Sequence, residues 1–302
     1  MHIPVMVTEV LSILNPTSGK RIIDATFGGG GHTTAILESS GCYVLGIDRD
    51  PDAIDRAATL KASYPNNFDF LAGEFSRLPD LIGTMERFDG ILFDFGISSF
   101  QVDDPDRGFS FSHDGKLDMR MSKRGLSAFD VINSFEEKDL AEIIWKYGDE
   151  PKSRRIAAEI VRARKISQIT TTFDLHMVVR NIFNSDSVKK KYSKIDVATK
   201  TFQAIRIFVN DELLEIDTAL GQFPRLLKND ARIATISFHA LEDRIVKNWI
   251  KSNSASIKII NKSVIKPSHE EIKKNPRSRS AVLRGFVYNE SKAYTGEVDD
   301  AL

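Results

Sequence analysis

A chain of 302 residues with 41% hydrophobic and 28% charged side chains has room for one large α/β domain, or one such domain carrying an insertion. Its single cysteine, Cys42, excludes an internal disulfide framework, and no apolar run reaches the roughly 20 residues a membrane helix needs, so a cytoplasmic protein without membrane contact is expected. The zero net charge conceals an asymmetry, 14 Lys/Arg against 25 Asp/Glu in residues 1–150 and 28 against 17 in 151–302, which points to a basic face that attracts phosphates.

In chain order, Met1-His2-Ile3-Pro4 lacks the basic and apolar segments of a secretory leader. Arg21-Ile22-Ile23-Asp24-Ala25-Thr26 is short, apolar and β-branched, predicting a strand that runs straight into Gly28-Gly29-Gly30-Gly31. A helix is expected over 33–39, a second strand over 43–48, and a helix over 52–60, where Ala and Ile recur at helical spacing. Short strands follow at 68–71 and 88–95. That rhythm predicts a parallel sheet with right-handed crossovers.

The rhythm stops near Gln101. From 103 to about 200 the sequence reads as mainly helical, with segments at 137–147 and 153–164; Ile156, Ile160 and Val161 recur at helical spacing. A helix over 198–220 leads to a strand at 232–238, and β-rich pieces at 257–265 and 281–288 follow. The expectation is an α/β fold: one doubly wound, mostly parallel sheet formed by 1–106 and 201–302, interrupted by a helical insertion at 107–200. Lys189-Lys190-Lys191, the one low-complexity run, reads as a loop.

Asp24-Ala25-Thr26-Phe27-Gly28-Gly29-Gly30-Gly31-His32 carries the strongest local signal. Glycines at a strand end let backbone approach a ligand, and the next helix points free N–H groups at it. A P-loop would need Lys and then Ser/Thr where His32-Thr33 stands, and a dinucleotide fingerprint would need a third glycine at Thr33. The third reading is S-adenosylmethionine. Asp24 sits where its ammonium would lie, and Asp48, 20 residues past Gly28, is placed for its ribose hydroxyls, although NAD would also accept Asp48. Phe75 either stacks on adenine or belongs to the core. Asp94, ending the fourth strand, either caps the next turn or holds cofactor and target together. No His/Cys group has ligand spacing, so no metal is expected.

Further segments carry a resemblance. They are His2-x-Pro4-Val5, Gly46-Ile47-Asp48-Arg49-Asp50, Asp94-x-Gly96-x-Ser98-Ser99-x-Gln101, Arg107-Gly108-Phe109-Ser110-Phe111 and Leu117-Asp118-Met119-Arg120-Met121. Later come Thr201-Phe202-Gln203-Ala204-x-Arg206-Ile207, Ser237-Phe238-His239 continuing to Leu241-Glu242-Asp243-Arg244, and Asn275-Pro276-Arg277-Ser278-Arg279-Ser280. In these, and over essentially its whole length, the chain resembles the bacterial S-adenosylmethionine-dependent small-subunit ribosomal RNA cytosine-N4 methyltransferases. The resemblance implies a Rossmann-like class I methyltransferase fold whose insertion recognises substrate. It also implies cofactor contacts from Gly30, Gly31, His32, Asp48, Phe75, Asp94 and Gln101, joining Asp24 and Gly28 from the residue reading. The implied substrate is a decoding-region cytosine in an assembled particle, and a homodimer is compatible with the sequence. Ala240 stands where the family usually has Ser, and the Asp/Asn-Pro-Pro-Tyr/Phe box of other amino methyltransferases is absent.

The chemistry follows from the target. Cytosine N4 shares its lone pair with the ring, so an acid accepting its N–H bonds would favour attack, and Asp94 is the candidate catalytic residue. Alignment within about 3–3.5 Å supplies much of the rest. The loop over 107–121, with Arg107, Phe109, Phe111 and Arg120, suits a substrate-side loop or a core connector. Arg206 faces phosphate or a carboxylate, His239 reads as structural more readily than catalytic, and Arg277, Arg279, Arg284 and Lys189-Lys190-Lys191 would grip phosphates. The rival readings are an NAD-dependent oxidoreductase, a non-catalytic RNA-binding assembly factor, and a DNA amino methyltransferase.

Overall fold

The computed structural model describes residues 3–83, 87–184 and 196–290; His2 and Lys189-Lys190-Lys191 lie outside them. The chain divides into two compact units, Met1–Gly96 with Leu213–Leu302, and Ile97–Glu212. The second unit begins earlier and ends later than the 107–200 expected for the insertion.

In the first unit the elements are α1 (Val7–Leu14), β1 (Arg21–Asp24), α2 (Gly31–Ser40), β2 (Tyr43–Asp48), α3 (Ala53–Ser63), β3 (Phe68–Ala72), α4 (Leu78–Ile82) and β4 (Phe88–Asp94). The second unit supplies α5 (Ser99–Asp103), α6 (Ala128–Ser134), α7 (Glu137–Gly148), α8 (Ser153–Arg164), α9 (Thr172–Asn184) and α10 (Thr199–Val209). The first unit resumes through α11 (Glu212–Gln222), then β5 (Leu227–Ser237), α12 (Ala240–Ser252), β6 (Ile257–Ile259), α13 (His269–Lys274) and β7 (Val282–Tyr288).

The seven strands form one sheet in the order β3-β2-β1-β4-β5-β7-β6. The first five are parallel, while β7 runs antiparallel to both β5 and β6. Strand side chains alternate between faces, so a sheet covered on both sides is apolar at every position. Ile22, Val44, Leu92 and Ile236 pack with Val10 and Leu14 of α1, Ile36 of α2 and Ala57 of α3. Their neighbours Ile23, Leu45, Ile91 and Phe93 pack on the other face with Leu78 of α4, Leu220 of α11 and Val246 of α12. The result is a doubly wound, mostly parallel α/β sheet of the Rossmann-like kind. No helix among the described residues is long and apolar enough to cross a membrane.

The helical unit has its own core, built from Leu140 and Ile144 of α7, Ile156 and Ile160 of α8, Leu175 and Val179 of α9, and Phe202 and Ile205 of α10. Where α7 ends, Gly148 lies so close to α10 that a Cβ there would meet the Lys200 carbonyl oxygen at 2.6 Å.

Three details differ from the sequence reading. The helix expected over 198–220 is two, because Asp211 turns to φ +50° and the Asn210 amide donates to the carbonyls of Met119 and Arg206. The strand expected over 257–265 shortens to Ile257–Ile259, and Ile265 forms an isolated bridge with Leu283. Helix α1 has no counterpart in the expected elements: it is bounded by Met6 and Asn15, both at positive φ, rather than by a side-chain cap.

Candidate active site

The carboxyl ends of β1, β2 and β4 lie side by side in the sheet, and each ends in an aspartate. Asp24 is buried. Its carboxylate accepts the Thr26 N–H at 3.2 Å and the Thr33 hydroxyl at 2.7 Å. Burial pushes the Asp24 carboxyl above its ordinary range, against the pull of His32 and these hydrogen bonds. The Thr26 hydroxyl accepts the Asp94 N–H at 2.7 Å, tying the ends of β1 and β4 together.

The glycine run turns over this edge. Gly28 and Gly30 have φ of +53° and +74°, a region that side-chain-bearing residues rarely adopt. A Cβ on Gly30 would also meet the Phe27 ring at 2.8 Å. Gly30 is the N-cap of α2 and gives it no side-chain cap, so the first turn, beginning at Gly31, keeps backbone donors for a ligand. Asp48 joins the loop to β2: its carboxylate accepts N–H groups from Gly28 at 2.6 Å and Asp50 at 2.8 Å. Burial nonetheless pushes its pKa to about 6, with those two hydrogen bonds opposing.

Asp94 is the least satisfied of the three. Its Oδ1 is buried without a hydrogen-bond partner among the described residues, and its Oδ2 lies 3.6 Å from Nδ1 of His32. Burial raises its pKa to about 6; His32 opposes, while Asp24 and Glu242 add to the rise. The first turn of α2 carries His32 inward, and its Nε2 donates to the Val5 carbonyl at 2.8 Å. Phe75 follows β3 and is half-buried, edge-on to Phe93 and tilted against Phe95. Gln101 belongs to the helical unit, where its side-chain carbonyl accepts the Ser98 N–H in a capping box that begins α5.

The structure brings Asp24, Gly28, Gly30, Gly31, His32, Asp48 and Asp94 to one sheet edge. Two further residues belong with them. Thr26 shows nothing in the sequence beyond its β-branched fit to a strand. Glu242 is fully buried at the start of α12 and accepts the backbone N–H groups of Phe238 and His239 at 2.7 and 3.2 Å. The sequence signal that could have found it is the capping box His239-x-x-Glu242 at the end of β5.

Several candidates for RNA contact turn inward instead. Arg107 is buried and donates to the carbonyls of Arg120 and Met121, while Phe109 is also buried. Phe111 stacks on His176, and Arg120 is paired with Asp118 at 2.6 Å. The loop over 107–121 is therefore largely a core connector. Arg206 makes a two-point ion pair with Glu212, and Arg284 does the same with Asp243, so neither is a free phosphate ligand. His239 caps α12 through Nδ1. Arg277 and Arg279 are exposed.

Three observations fit a bound sulfonium nucleoside at this edge: a cradle that a Cβ would fill, an uncapped helix N-terminus, and a buried carboxylate oxygen without a partner. Residues 1–288 match the MraW methylase family. The chain is 48% identical to a ribosomal RNA small subunit methyltransferase H of Rickettsia canadensis, over 94% of this chain and 96% of that protein. It is 47% identical to the protein of the same name in Rickettsia bellii, over 94% and 97%. Among solved structures, an rRNA methylase of Streptococcus thermophilus is similar with a TM-score of 0.42 at 10% identity, covering 94% of each chain.

Proposed function

The chain belongs to the MraW methylase family, and from that premise we propose that it transfers a methyl group from S-adenosylmethionine to the N4 amine of a cytosine in the decoding region of small-subunit ribosomal RNA. The observation that carries the reading is Asp94, whose buried Oδ1 has no hydrogen-bond partner among the described residues. A buried carboxylate oxygen left unpaired is costly, so its retention at a ligand-binding sheet edge argues for a donor that arrives with the substrate.

S-adenosylmethionine supplies an electrophilic methyl carbon on a positively charged sulfur. The backbone of Gly28, Gly30 and Gly31 and the first turn of α2, which His32 shares, hold its methionine end, with Asp24 as the counter-charge for the ammonium. Asp48 accepts the ribose hydroxyls, and Phe75 lies against the adenine. Asp94 accepts a hydrogen bond from the N4 amine and holds its nitrogen toward the methyl group. The helical unit, through its basic residues, recognises the RNA. The oxidoreductase, DNA-methylating and non-catalytic readings gain nothing from the family.

The reading extends to an assembled small-subunit particle as the form of substrate, to a homodimer in solution, and to the cytoplasm, where that particle is found. The deciding experiment supplies purified protein with labelled S-adenosylmethionine and either free small-subunit RNA or small-subunit particles, followed by nucleoside mass spectrometry. N4-methylcytidine is the expected product, formed faster on particles. A methyl group on another base, or none at all, would reject the reading.

A further inference from the structure

The reaction leaves a proton to be removed, and the site holds a pair of groups built to take one. Val5 offers His32 only a carbonyl oxygen, so Nε2 must carry the ring hydrogen that bonds to it. The other ring nitrogen, Nδ1, then presents a lone pair toward Oδ2 of Asp94, 3.6 Å away. Two acceptors facing each other repel, and one proton placed between them removes the repulsion. His32 is buried, while the Asp94 side chain keeps 23% of its exposure, so Asp94 is the member that reaches the target and His32 the member behind it.

We propose that His32 is a proton-relay residue for methyl transfer, acting through Asp94. This rests on the reading of Asp94 as the acceptor for the N4 amine. As the N4–methyl bond forms and the sulfur–methyl bond breaks, N4 becomes positively charged and carries one proton too many. That proton passes to Oδ1 of the Asp94 carboxylate, rotation of the resulting carboxyl group carries it to the His32 side, and Nδ1 of His32 takes it. Neutral methylated cytosine, an ionised Asp94 and an imidazolium remain, and the imidazolium releases its proton to solvent before the next turnover. Among the described residues, the charged groups that act on the pair are acids, Asp24 at the end of β1 and Glu242 at the start of α12. When ionised, they put negative charge near a ring that must briefly carry a positive one. Among the described residues before α1, Val5 offers its carbonyl to His32.

His32→Gln keeps a donor for the Val5 carbonyl and removes the titrating nitrogen. The wild-type protein is assayed first; if it transfers no methyl group to small-subunit particles, the function itself fails and the relay is not at issue. With wild-type transfer in hand, the variant's S-adenosylhomocysteine affinity is measured first, and transfer is then compared at S-adenosylmethionine concentrations that saturate each protein. The variant's single-turnover transfer at pH 7 should be at least about tenfold slower. Its rate should also keep rising with pH where the wild type has levelled. An unchanged rate and profile, or a loss matched at every pH by lost S-adenosylhomocysteine affinity, would overturn the relay. A second measurement needs no variant at His32. In histidine-labelled protein without RNA, the ring nitrogen shifts should show His32 with its hydrogen on Nε2 and a lone pair on Nδ1. A hydrogen on Nδ1 of the neutral ring would overturn the relay equally.

Discussion

Asp94 carries a cost that a purely structural residue would shed. Its pKa is raised from 3.8 to about 6, so the folded state holds its proton more tightly than the unfolded chain does. The stability contributed by that tighter binding is complete below about pH 4 and is lost as pH rises through 6. Asp94→Asn removes the titration while keeping the shape. The variant should therefore be more stable than wild type at pH 8, by about 1–3 kcal/mol, with the advantage vanishing near pH 4. Methyl transfer should be lost throughout. Thermal melts at the two pH values check this, and an equal difference at both would mean that ionisation is not the cause. Gly30→Ala tests the neighbouring loop. A positive φ and a ring 2.8 Å from the new carbon should cost about 1–3 kcal/mol and weaken S-adenosylhomocysteine binding measured by calorimetry.

At the scale of elements, Gly148 is a packing point rather than a turn. A methyl group there would press on the Lys200 carbonyl and force α7 and α10 apart. Gly148→Ala should destabilise the protein by about 1–3 kcal/mol in denaturant melts while S-adenosylhomocysteine affinity stays near wild type. Nothing in the sequence announces that contact, because it joins residues about fifty positions apart. The central strands were legible for the opposite reason: a strand buried on both faces must be apolar along its length, as in Ile22-Ile23 and Ile91-Leu92-Phe93. Asp24, Asp48 and Asp94 were legible too, since each ends such a strand. The boundary between α10 and α11 was not, because it depends on Asn210 reaching back to Met119, a tertiary bond that overrides local helical preference. Arg284 misled for a similar reason, whereas for Arg206 and the loop of Arg107 the sequence left both outcomes open. A basic side chain in sequence does not reveal whether a carboxylate or carbonyl of the fold already holds it.

The molecule has two compact units and one tryptophan in each. Trp145 of α7 is 56% exposed in the helical unit, and Trp249 of α12 packs against Phe223 and Phe286 in the sheet unit. Trp145→Phe and Trp249→Phe variants thus report the units separately. Saturating S-adenosylhomocysteine should raise the unfolding midpoint reported by Trp249 more than that reported by Trp145, with about 2.7 kcal/mol available at a hundredfold excess over Kd. Equal shifts would mean that the units unfold as one. The interrupted course of the sheet unit has a further consequence, in the making of the protein. Strand β4 ends at Asp94, and its partner β5 begins only at Leu227. At roughly 5–20 residues per second of synthesis, the nascent chain shows an unpaired strand edge for on the order of ten seconds while the helices of the insertion emerge. Local helical contacts form quickly, so the inserted unit has time to fold before the sheet that flanks it can close. Ribosome stalling before β5 would leave that edge open to chaperones or to other nascent chains.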